Sequence, residues 1–580
     1  MSEANMTALT SRSLEGVTSY EPTFLEALAP AMNDIARYGI KVAVNAGGSD
    51  VRGLADAVKK LISKNGLSLN VAWIEGDDVL DVVKERLGSS KSKWEGIANS
   101  KMQNGKGMSV RDAWMEGADV SQTVKEHIHL TKFVNICTGE SLRDWEFKDD
   151  IIGAQAYLGG LGIAKAFEEG ADIVVAGRVS DASPVIGAAV WWHGWESSQL
   201  DELANAFVAG HLIECSTYVC GGNFTGFKGF EGKESWGDIG YPVAEIGRKG
   251  EVVITKQKGT GGCVSEETCK AQLLYEIQGP WYFNSDVTAI LDGIAFEQLS
   301  TNRVAVRGVK AGPPPPTTKV GITARGGFQA EVHWFLVGLD IEAKARMLEM
   351  QIRKALGDTS RFHVLKFTLN GMAAENPTEQ TAATVDFRVF AQSRQEKNLA
   401  TNRFLRPIID LIMCSYPGAT FHLDFRQGLP KAVHEYFVTL LPQSEVKHMV
   451  HLHDGRKLAI NTPDVMETYP GQQPSQAGSS VSLKNFGKTV RGPLGWLVHA
   501  RSGDKGSNAN VGFWVRHADE FEWLRALLST ENLQTLLAKE YNGKKIVSRD
   551  SVLSSTLLIA VGPIRTPEYL GCTFSPPRSS

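Results

Sequence analysis

The sequence predicts an α/β protein, with a doubly wound parallel sheet in the N-terminal body, an α+β middle part and a small α+β C-terminal module. Short runs of β-branched residues alternate with helical patterns through the first third of the chain. This alternation is typical of a parallel sheet covered by helices on both faces. Strand and helix patterns mix in the middle third, and a polar linker separates the last segment.

Apolar runs predict the strands of the parallel sheet at residues 40–44, 69–74, 133–136 and 173–176. Helices are predicted between them at residues 54–62, 79–87 and 153–167, and an irregular excursion at residues 88–131. Right-handed crossovers bring the loops at the strand ends to one edge of such a sheet. We therefore expect ligand-binding residues at that edge.

The middle part predicts helices at about 265–277, 343–356 and 402–414, and strands at 331–337 and 385–390. The last segment predicts strands at 494–498, 511–515 and 554–561, and helices at 518–527 and 530–539. The chain is therefore divided into a catalytic body at 1–461, a linker at 462–488 and a C-terminal domain at 489–580.

The overall composition excludes several classes of protein. A chain of 580 residues is too long for one compact core. The net charge of −4 and the absence of a long basic stripe argue against a nucleic-acid partner. No apolar run reaches membrane-spanning length, so no membrane partner is expected. Seven cysteines, an odd number, favour free thiols in the reducing cytoplasm.

The first candidate segment, residues 176–184, follows an apolar strand. Ser183 and Pro184 predict an N-cap and the first helical position, which places Arg178 and Asp181 in a loop beside a helix N-terminus. Such a loop favours binding of an anion or a polarised carbonyl. The alternative is that Arg178 and Asp181 pair and only stabilise the turn.

The second candidate segment is the end of a predicted amphipathic helix at 203–212. His211, Glu214 and Cys215 have the spacing i, i+3, i+4 and are expected on one helical face. Close acid and base groups tune each other's pKa, as proton transfer requires, and a charged His211 favours a Cys215 thiolate. The alternative is a helix end with a capping histidine and a buried cysteine.

Two further segments are rich in glycine and polar residues. Thr260, Gly261 and Gly262 precede a predicted helix whose N-cap is Ser265, and their N–H groups suit a phosphate, carboxylate or oxyanion. Residues 499–510 are predicted to form a polar loop between two apolar strands. The alternatives are a tight turn and a solvated loop. Because zinc spacing and a dinucleotide fingerprint are missing from the sequence, no metal and no cofactor are predicted. The nucleophile elbow of α/β-hydrolases is also missing.

These segments resemble the AtuA family, which is named for acyclic terpene utilisation. The resemblance is carried by the stretches at 44–50, 75–78, 138–140, 156–184, 210–224, 259–262 and 273–277. The sequence HARSGDKGSNAN at 499–510 is similar to the motif of the AtuA-like ferredoxin-fold domain. The resemblance implies a ferredoxin-like C-terminal domain and a role in the catabolism of acyclic isoprenoids through acyl-CoA intermediates.

The leading hypothesis is a lyase, hydratase or isomerase that acts on a branched or isoprenoid acyl substrate, such as an acyl-CoA or a terpenoid. The candidate catalytic residues are His211, Glu214, Asp181 and Cys215. The candidate substrate-binding residues are Arg178, Asn223, Thr260, Gly261, Gly262, Asp504, Lys505 and Asn508. An ester or thioester hydrolase that uses Cys215 or a serine, and a non-catalytic subunit of a metabolic complex, are the alternatives. A homo-oligomer is expected.

Overall fold

The computed structural model describes residues 3–14, 18–88, 133–231, 236–277, 279–471, 473–474, 481–483, 487–505, 508–538, 541, 546–550 and 556–561. The chain divides into two compact units. Of the described residues, unit 1 comprises those within Met1–Trp145, Gly153–Ile322 and Phe437–Ile564, and unit 2 comprises Glu146–Ile152 and Thr323–Tyr436. The predicted excursion at 88–131 lies, apart from residue 88, outside the described residues.

The first sheet of unit 1 has the strand order β1-β4-β2-β17-β18. These strands are β1 (Val42–Val44), β2 (Val71–Glu75), β4 (Ile173–Val175), β17 (Met449–His451) and β18 (Lys457–Ala459). Strands β1, β4 and β2 are parallel, whereas β17 pairs antiparallel with β2 and with β18. Three of the four predicted strands are therefore parallel neighbours in a sheet that is mixed as a whole, whereas residues 133–136 form only an isolated bridge at Val134. The doubly wound parallel body stays a prediction.

Side chains of the parallel strands alternate between two apolar clusters, as the two-residue period of a strand requires. Ile173 and Val175 belong to a cluster with Leu54 and Met32, whereas Val174 belongs to a cluster on the other side with Ile163. The surrounding helices are α1 (Glu3–Leu14), α2 (Thr23–Tyr38), α3 (Val51–Lys64), α4 (Leu161–Glu168) and α5 (Ser183–His193), and residues 80–88 are also helical.

The rest of unit 1 surrounds one large apolar core, and its helices are α6 (Leu200–Ile213) and α7 (Glu266–Leu274). One antiparallel sheet contains β5 (Pro242–Ile246), β6 (Val252–Lys256), β10 (Arg303–Arg307) and β9 (Ala295–Ser300). A smaller sheet contains β11 (Lys310–Gly312), β8 (Thr288–Ile290) and β7 (Trp281–Phe283). The C-terminal sheet contains β19 (His499–Lys505), β20 (Asn508–Trp514), β22 (Thr556–Val561) and β21 (Ile546–Asp550), with helices α10 (Ala518–Leu527) and α11 (Thr530–Leu537).

Unit 2 is built on an antiparallel sheet in the order β13-β14-β12-β15. The strands are β12 (Thr317–Val337), β13 (Val364–Asn370), β14 (Thr384–Ser393) and β15 (Thr420–Phe421), and β3 (Ile151–Ala156) and β16 (Lys431–Pro442) also pair with β12. Strands β3, β12 and β16 are each divided in sequence between the two units. Its core includes apolar residues of the helices α8 (Ile341–Leu356) and α9 (Leu405–Ile409). The chain as a whole is therefore an α/β protein with several sheets.

Two glycines allow α4 and α5 to pack closely. A Cβ atom on Gly160 would lie 2.3 Å from the backbone oxygen of Ser183. A Cβ atom on Gly187 would lie 2.6 Å from the backbone oxygen of Gly160. Because the obstructing atoms are backbone atoms, no rotamer change relieves either contact.

Several predicted elements are wrong in detail. Residues 153–156 belong to strand β3, and the helix begins only at Leu161, because β3 pairs with β12. Residues 494–496 form a 3-10 turn, whereas the predicted polar loop is itself the strand pair β19 and β20. The N-cap of α5 is Ala182, because the Ser183 hydroxyl donates instead to Leu158 O at 3.2 Å. At residues 402–414 the α-helix covers only Leu405–Ile409.

Candidate active site

His211 lies in the last turn of α6 and is 1% exposed. Its Nε2 atom lies 3.0 Å from Gln272 O and 3.1 Å from Leu273 O. Because carbonyl oxygens only accept hydrogen bonds, Nε2 must carry a hydrogen. The Gln272 amide donates back to His211 O at 3.0 Å. These contacts fix the tautomer and leave Nδ1 as the nitrogen that can gain or lose a proton.

The Nδ1 atom of His211 has two polar neighbours. The Tyr282 hydroxyl lies at 3.1 Å and Glu214 Oε1 at 3.2 Å. Burial by itself lowers the pKa of His211, but the hydrogen bond and the negative charge of Glu214 outweigh burial and hold that pKa above its usual value. Nδ1 of His211 therefore lies between a carboxylate, which favours its protonation, and a phenol hydroxyl.

Glu214 is the C-cap of α6, and its side chain is 10% exposed. One carboxylate oxygen contacts His211, whereas Oε2 is buried and has no hydrogen-bond partner among the described residues. An unsatisfied buried carboxylate oxygen costs free energy that a ligand hydrogen bond would recover. Glu214 therefore has one oxygen available for a bound molecule.

Cys215 and Ser216 follow the helix, in the left-handed backbone region. Their φ angles are 61° and 63°, and both residues are exposed. The spacing predicted that Cys215 shares a helical face with His211. This prediction is wrong, because α6 ends at Ile213. Left-handed non-glycine residues cost free energy and concentrate at functional sites.

Tyr282, on β7, was not identified from the sequence. Its ring stacks on Phe207 at 4.2 Å between centroids. Burial raises its pKa far above the usual value, and the charges of Glu214, Asp181 and Glu276 raise it further. Of these carboxylates, Glu214 lies 3.2 Å from His211 Nδ1, which itself lies 3.1 Å from the Tyr282 hydroxyl. No signal in the apolar strand 281–283 distinguishes this tyrosine from a core residue.

The loop at 176–184 contributes Arg178 and Asp181. The Arg178 side chain is 2% exposed, and its Nη1 donates to Asp181 Oδ1 at 3.0 Å. Its guanidinium also lies 4.0 Å from the centroid of the Tyr157 ring. Arg178 therefore balances the charge of Asp181, and its predicted role in substrate binding stays a prediction.

A second buried carboxyl group, Asp77, lies beside this loop and was also missed. Asp77 Oδ2 accepts a hydrogen bond from the backbone N–H of Arg178 at 2.6 Å. Burial, opposed by the hydrogen bond from Arg178 N–H and assisted by the charge of Asp78, raises the pKa of Asp77 to about 7. The EGDD sequence at 75–78 was the available signal, but the sequence does not reveal which of its carboxylates is buried.

Close packing brings the first two predicted segments together. A Cβ atom on Gly210 would lie 2.7 Å from Ala182 Cβ and 2.8 Å from Ala182 O. The last turn of α6 therefore lies directly against the loop that carries Arg178 and Asp181. This contact agrees with the observation that the charges of both Asp181 and Glu214 raise the pKa of Tyr282.

The fourth predicted segment also reaches this region. The Arg501 guanidinium lies 4.1 Å from the Tyr218 ring and 4.6 Å from the Tyr275 ring, and it donates to Asn223 O at 3.2 Å. Asn510 donates to Leu274 O at 2.7 Å. The backbones of Asp504, Lys505 and Asn508 lie in the β19–β20 pair, but their side chains are outside the described residues.

Comparison with known proteins decides the family. The sequence profile described as acyclic terpene utilisation family protein AtuA matches residues 1–102 and 96–452. The chain belongs to the AtuA family. The family description implies a role in acyclic terpene utilisation, which is compatible with small-molecule metabolism. No curated protein and no solved structure matches the chain significantly.

The glycine-rich turn of the AtuA chain packs against the segment that follows α6. The Lys256 ammonium donates to Thr260 Oγ1 at 2.6 Å, and a Cβ atom on Gly262 would lie 2.4 Å from Cys220 O. Within the described residues, the contacts of Thr260 and Gly262 do not include His211 or Glu214. The assignment of Thr260, Gly261 and Gly262 to substrate binding stays a prediction.

The described part of the AtuA chain offers no group of three or more His, Cys, Asp or Glu residues that could hold a metal ion. Its helices, as far as they are described, include none with the length and apolarity needed to cross a membrane.

Proposed function

We propose that this AtuA-family protein is an enzyme that transfers a proton on a branched or isoprenoid acyl substrate, as a lyase, hydratase or isomerase does. The supporting observation is the Glu214 carboxylate, which contacts His211 through Oε1 and has a buried Oε2 without a partner. In the proposed reaction, Glu214 removes a proton from the carbon next to the substrate carbonyl and later returns it.

His211 and Tyr282 have supporting roles in this proposal. Imidazolium at His211 donates a hydrogen bond from Nδ1 that orients the Glu214 carboxylate, and its Nε2 bonds to two carbonyls hold the ring in place. The Tyr282 hydroxyl, 3.1 Å from His211 Nδ1, is a neutral donor because its pKa is raised. A neutral donor suits the oxygen that becomes negative when a carbon acid loses its proton.

Substitution Glu214→Gln tests the proposal. With a panel of branched acyl thioesters in deuterated buffer, the wild-type protein should incorporate deuterium next to the carbonyl, as measured by mass spectrometry. The rate for Glu214→Gln should fall about 10²–10⁴-fold, the usual contribution of a general base. Asp201→Asn, which changes an exposed carboxylate at the start of the same helix, should keep the wild-type rate. Equal rates in all three proteins would sink the assignment.

A thioester hydrolase that uses Cys215 is the second candidate. It is favoured by two consecutive left-handed residues, Cys215 and Ser216, at the exposed end of α6. We expect Cys215→Ala to abolish hydrolysis of the thioester panel, whereas Cys414→Ala, at another exposed cysteine, leaves it intact. Hydrolysis that persists in Cys215→Ala eliminates this candidate, and inactivity of the wild-type protein in both assays favours a non-catalytic subunit.

A further inference from the structure

A cavity at the N-terminus of α4 lies outside the proposed proton-transfer group. Its volume is about 30 Å³, within a cleft whose free volume, including open solvent, is about 390 Å³. Its lining includes Leu161, Asp286, His448, Asn461 and Thr462. Volume of this order accommodates a water molecule or one hydroxyl group at the bottom of the cleft.

His448 is a polar residue of this cavity whose ring nitrogen Nε2 has no hydrogen-bond partner among the residues that the structure describes. The residue as a whole is half-buried, whereas its Nε2 atom is buried. Burial lowers the pKa of His448 to about 4, so the ring is neutral at pH 7. Space for this ring exists because residue 162 is glycine, where a Cβ atom would lie 2.3 Å from Nε2. Buried polar atoms are normally satisfied, so this nitrogen points to a bound group.

Asp286 is the second polar group of the cavity. Its Oδ2 accepts a hydrogen bond from the Gly160 N–H at 2.5 Å. Its Oδ1 lies against Gly159, where a Cβ atom would come within 2.0 Å. Burial raises the pKa of Asp286 to about 6, so at pH 7 it is mainly a carboxylate. The glycines at 159 and 162 therefore leave space for one acceptor and one imidazole at the same helix end.

The chemistry of these groups selects the ligand. Asp286 accepts hydrogen bonds, the N–H groups in the first turn of α4 donate them, and a neutral imidazole nitrogen does one or the other. A carboxylate ligand would be repelled by Asp286, and an ammonium ligand has no atom that accepts a hydrogen bond from the N–H groups of α4. A hydroxyl group both donates and accepts and carries no charge. We propose that this cavity, between Asp286 and His448, binds the hydroxyl group of a small neutral alcohol.

Calorimetric titration with 3-methylbutan-1-ol tests this inference, which does not rest on the proposed function. The wild-type protein should bind the alcohol saturably at pH 7.5, and should bind 3-methylbutanoate and 3-methylbutylamine at least tenfold more weakly. His448→Leu should weaken alcohol binding at least tenfold, whereas His453→Leu, the same substitution at an exposed histidine, should not. Glu214→Gln should bind the alcohol normally, which separates this site from the proposed proton-transfer group.

Asp286→Asn provides a second test, because it replaces the negative charge with a neutral amide of the same shape. Binding of 3-methylbutanoate relative to the alcohol should improve at least tenfold in this variant. Crystals of the wild-type protein soaked in the alcohol should show its oxygen between Asp286 and His448. An ordered water that the alcohol does not displace, or equal affinity of the wild type and His448→Leu, would overturn the proposal.

Discussion

Asp77 shows how a single residue can couple the candidate site to pH. Its carboxyl group is buried, and one of its oxygens accepts a hydrogen bond from the backbone N–H of Arg178. In water the group loses its proton near pH 3.8, whereas burial raises its pKa in the folded protein to about 7. Between these two values the unfolded chain has released the proton and the folded chain has not.

The contribution of Asp77 to folding stability should therefore fall as pH rises through this window. The unfolded state binds fewer protons there, and each pKa unit corresponds to about 1.4 kcal/mol, so the whole window costs about 4 kcal/mol at most. The Asp77→Asn variant lacks this pH-dependent loss of unfolding free energy, because its amide does not titrate. The substitution also changes the unfolding free energy by a constant amount at every pH. Urea unfolding at pH 4 to 8 should show the variant gaining stability relative to the wild type up to about pH 7 and not beyond.

Asp201→Asn is the control for this measurement, because its carboxylate is exposed. Its pH dependence should match that of the wild type. Parallel curves for Asp77→Asn and the wild type would show that Asp77 does not keep its proton in the folded state.

Individual residues were predictable where their partners are close in sequence. His211 and Glu214 are three positions apart, and the helix brings them to 3.2 Å. Tyr282 was not predictable, because it meets His211 across 71 residues of chain, and Asp77 meets Arg178 across 101. Such long-range contacts depend on tertiary packing, which local patterns do not encode.

At the scale of elements, the contact between α6 and the loop at 176–184 holds the candidate catalytic groups together. Gly210→Ala would place a methyl group 2.7 Å from Ala182 Cβ and force the two elements apart. We expect a loss of about 1–3 kcal/mol in the free energy of unfolding, as for other overpacked cores. Gly229→Ala, where a Cβ atom meets nothing within 4 Å, should change stability by less than about 0.5 kcal/mol.

Both stabilities are measured by urea unfolding. Deuterium incorporation should also fall in Gly210→Ala, because a shift of α6 moves Glu214 relative to Asp181 and Tyr282. If the two variants are equally stable, α6 is not constrained by Ala182.

Strands and helices were predictable from the sequence where their own side-chain pattern determines the secondary structure. Strand β4, with the sequence IVV, is apolar and buried on both faces, so its pattern is unambiguous. Strands β19 and β20 contain Asp, Asn and Gly, which are typical of loops. They form strands because they pair with each other and because Asn510 bonds to the backbone at Leu274. Their stability therefore depends on α7, which is distant in sequence.

At the scale of the whole molecule, the C-terminal sheet belongs to the same compact unit as α6 and α7. Trp514 is fully buried in the core that contains Phe207 and Phe224. Arg516 forms an ion pair with Glu267 at the start of α7. The predicted linker is also attached, since Gln473 bonds to both the N–H and the carbonyl of Trp281.

Cleavage at a protease site engineered within residues 475–480 should therefore not separate the two resulting fragments. After cleavage, the two fragments should elute together in size-exclusion chromatography and separate only when urea unfolds them, because separation would expose Trp514. A C-terminal fragment that elutes alone and folded would instead support an independent domain at 489–580. This boundary stays a prediction until that result.

The contact between Gly160 and Gly187 has a genetic consequence. Every amino acid reached from a glycine codon by one base change carries at least a methyl group at this position. At these two codons each such missense change therefore drives an atom into the main chain of the opposite helix. A saturation library selected for soluble protein should return these codons almost entirely as synonymous changes.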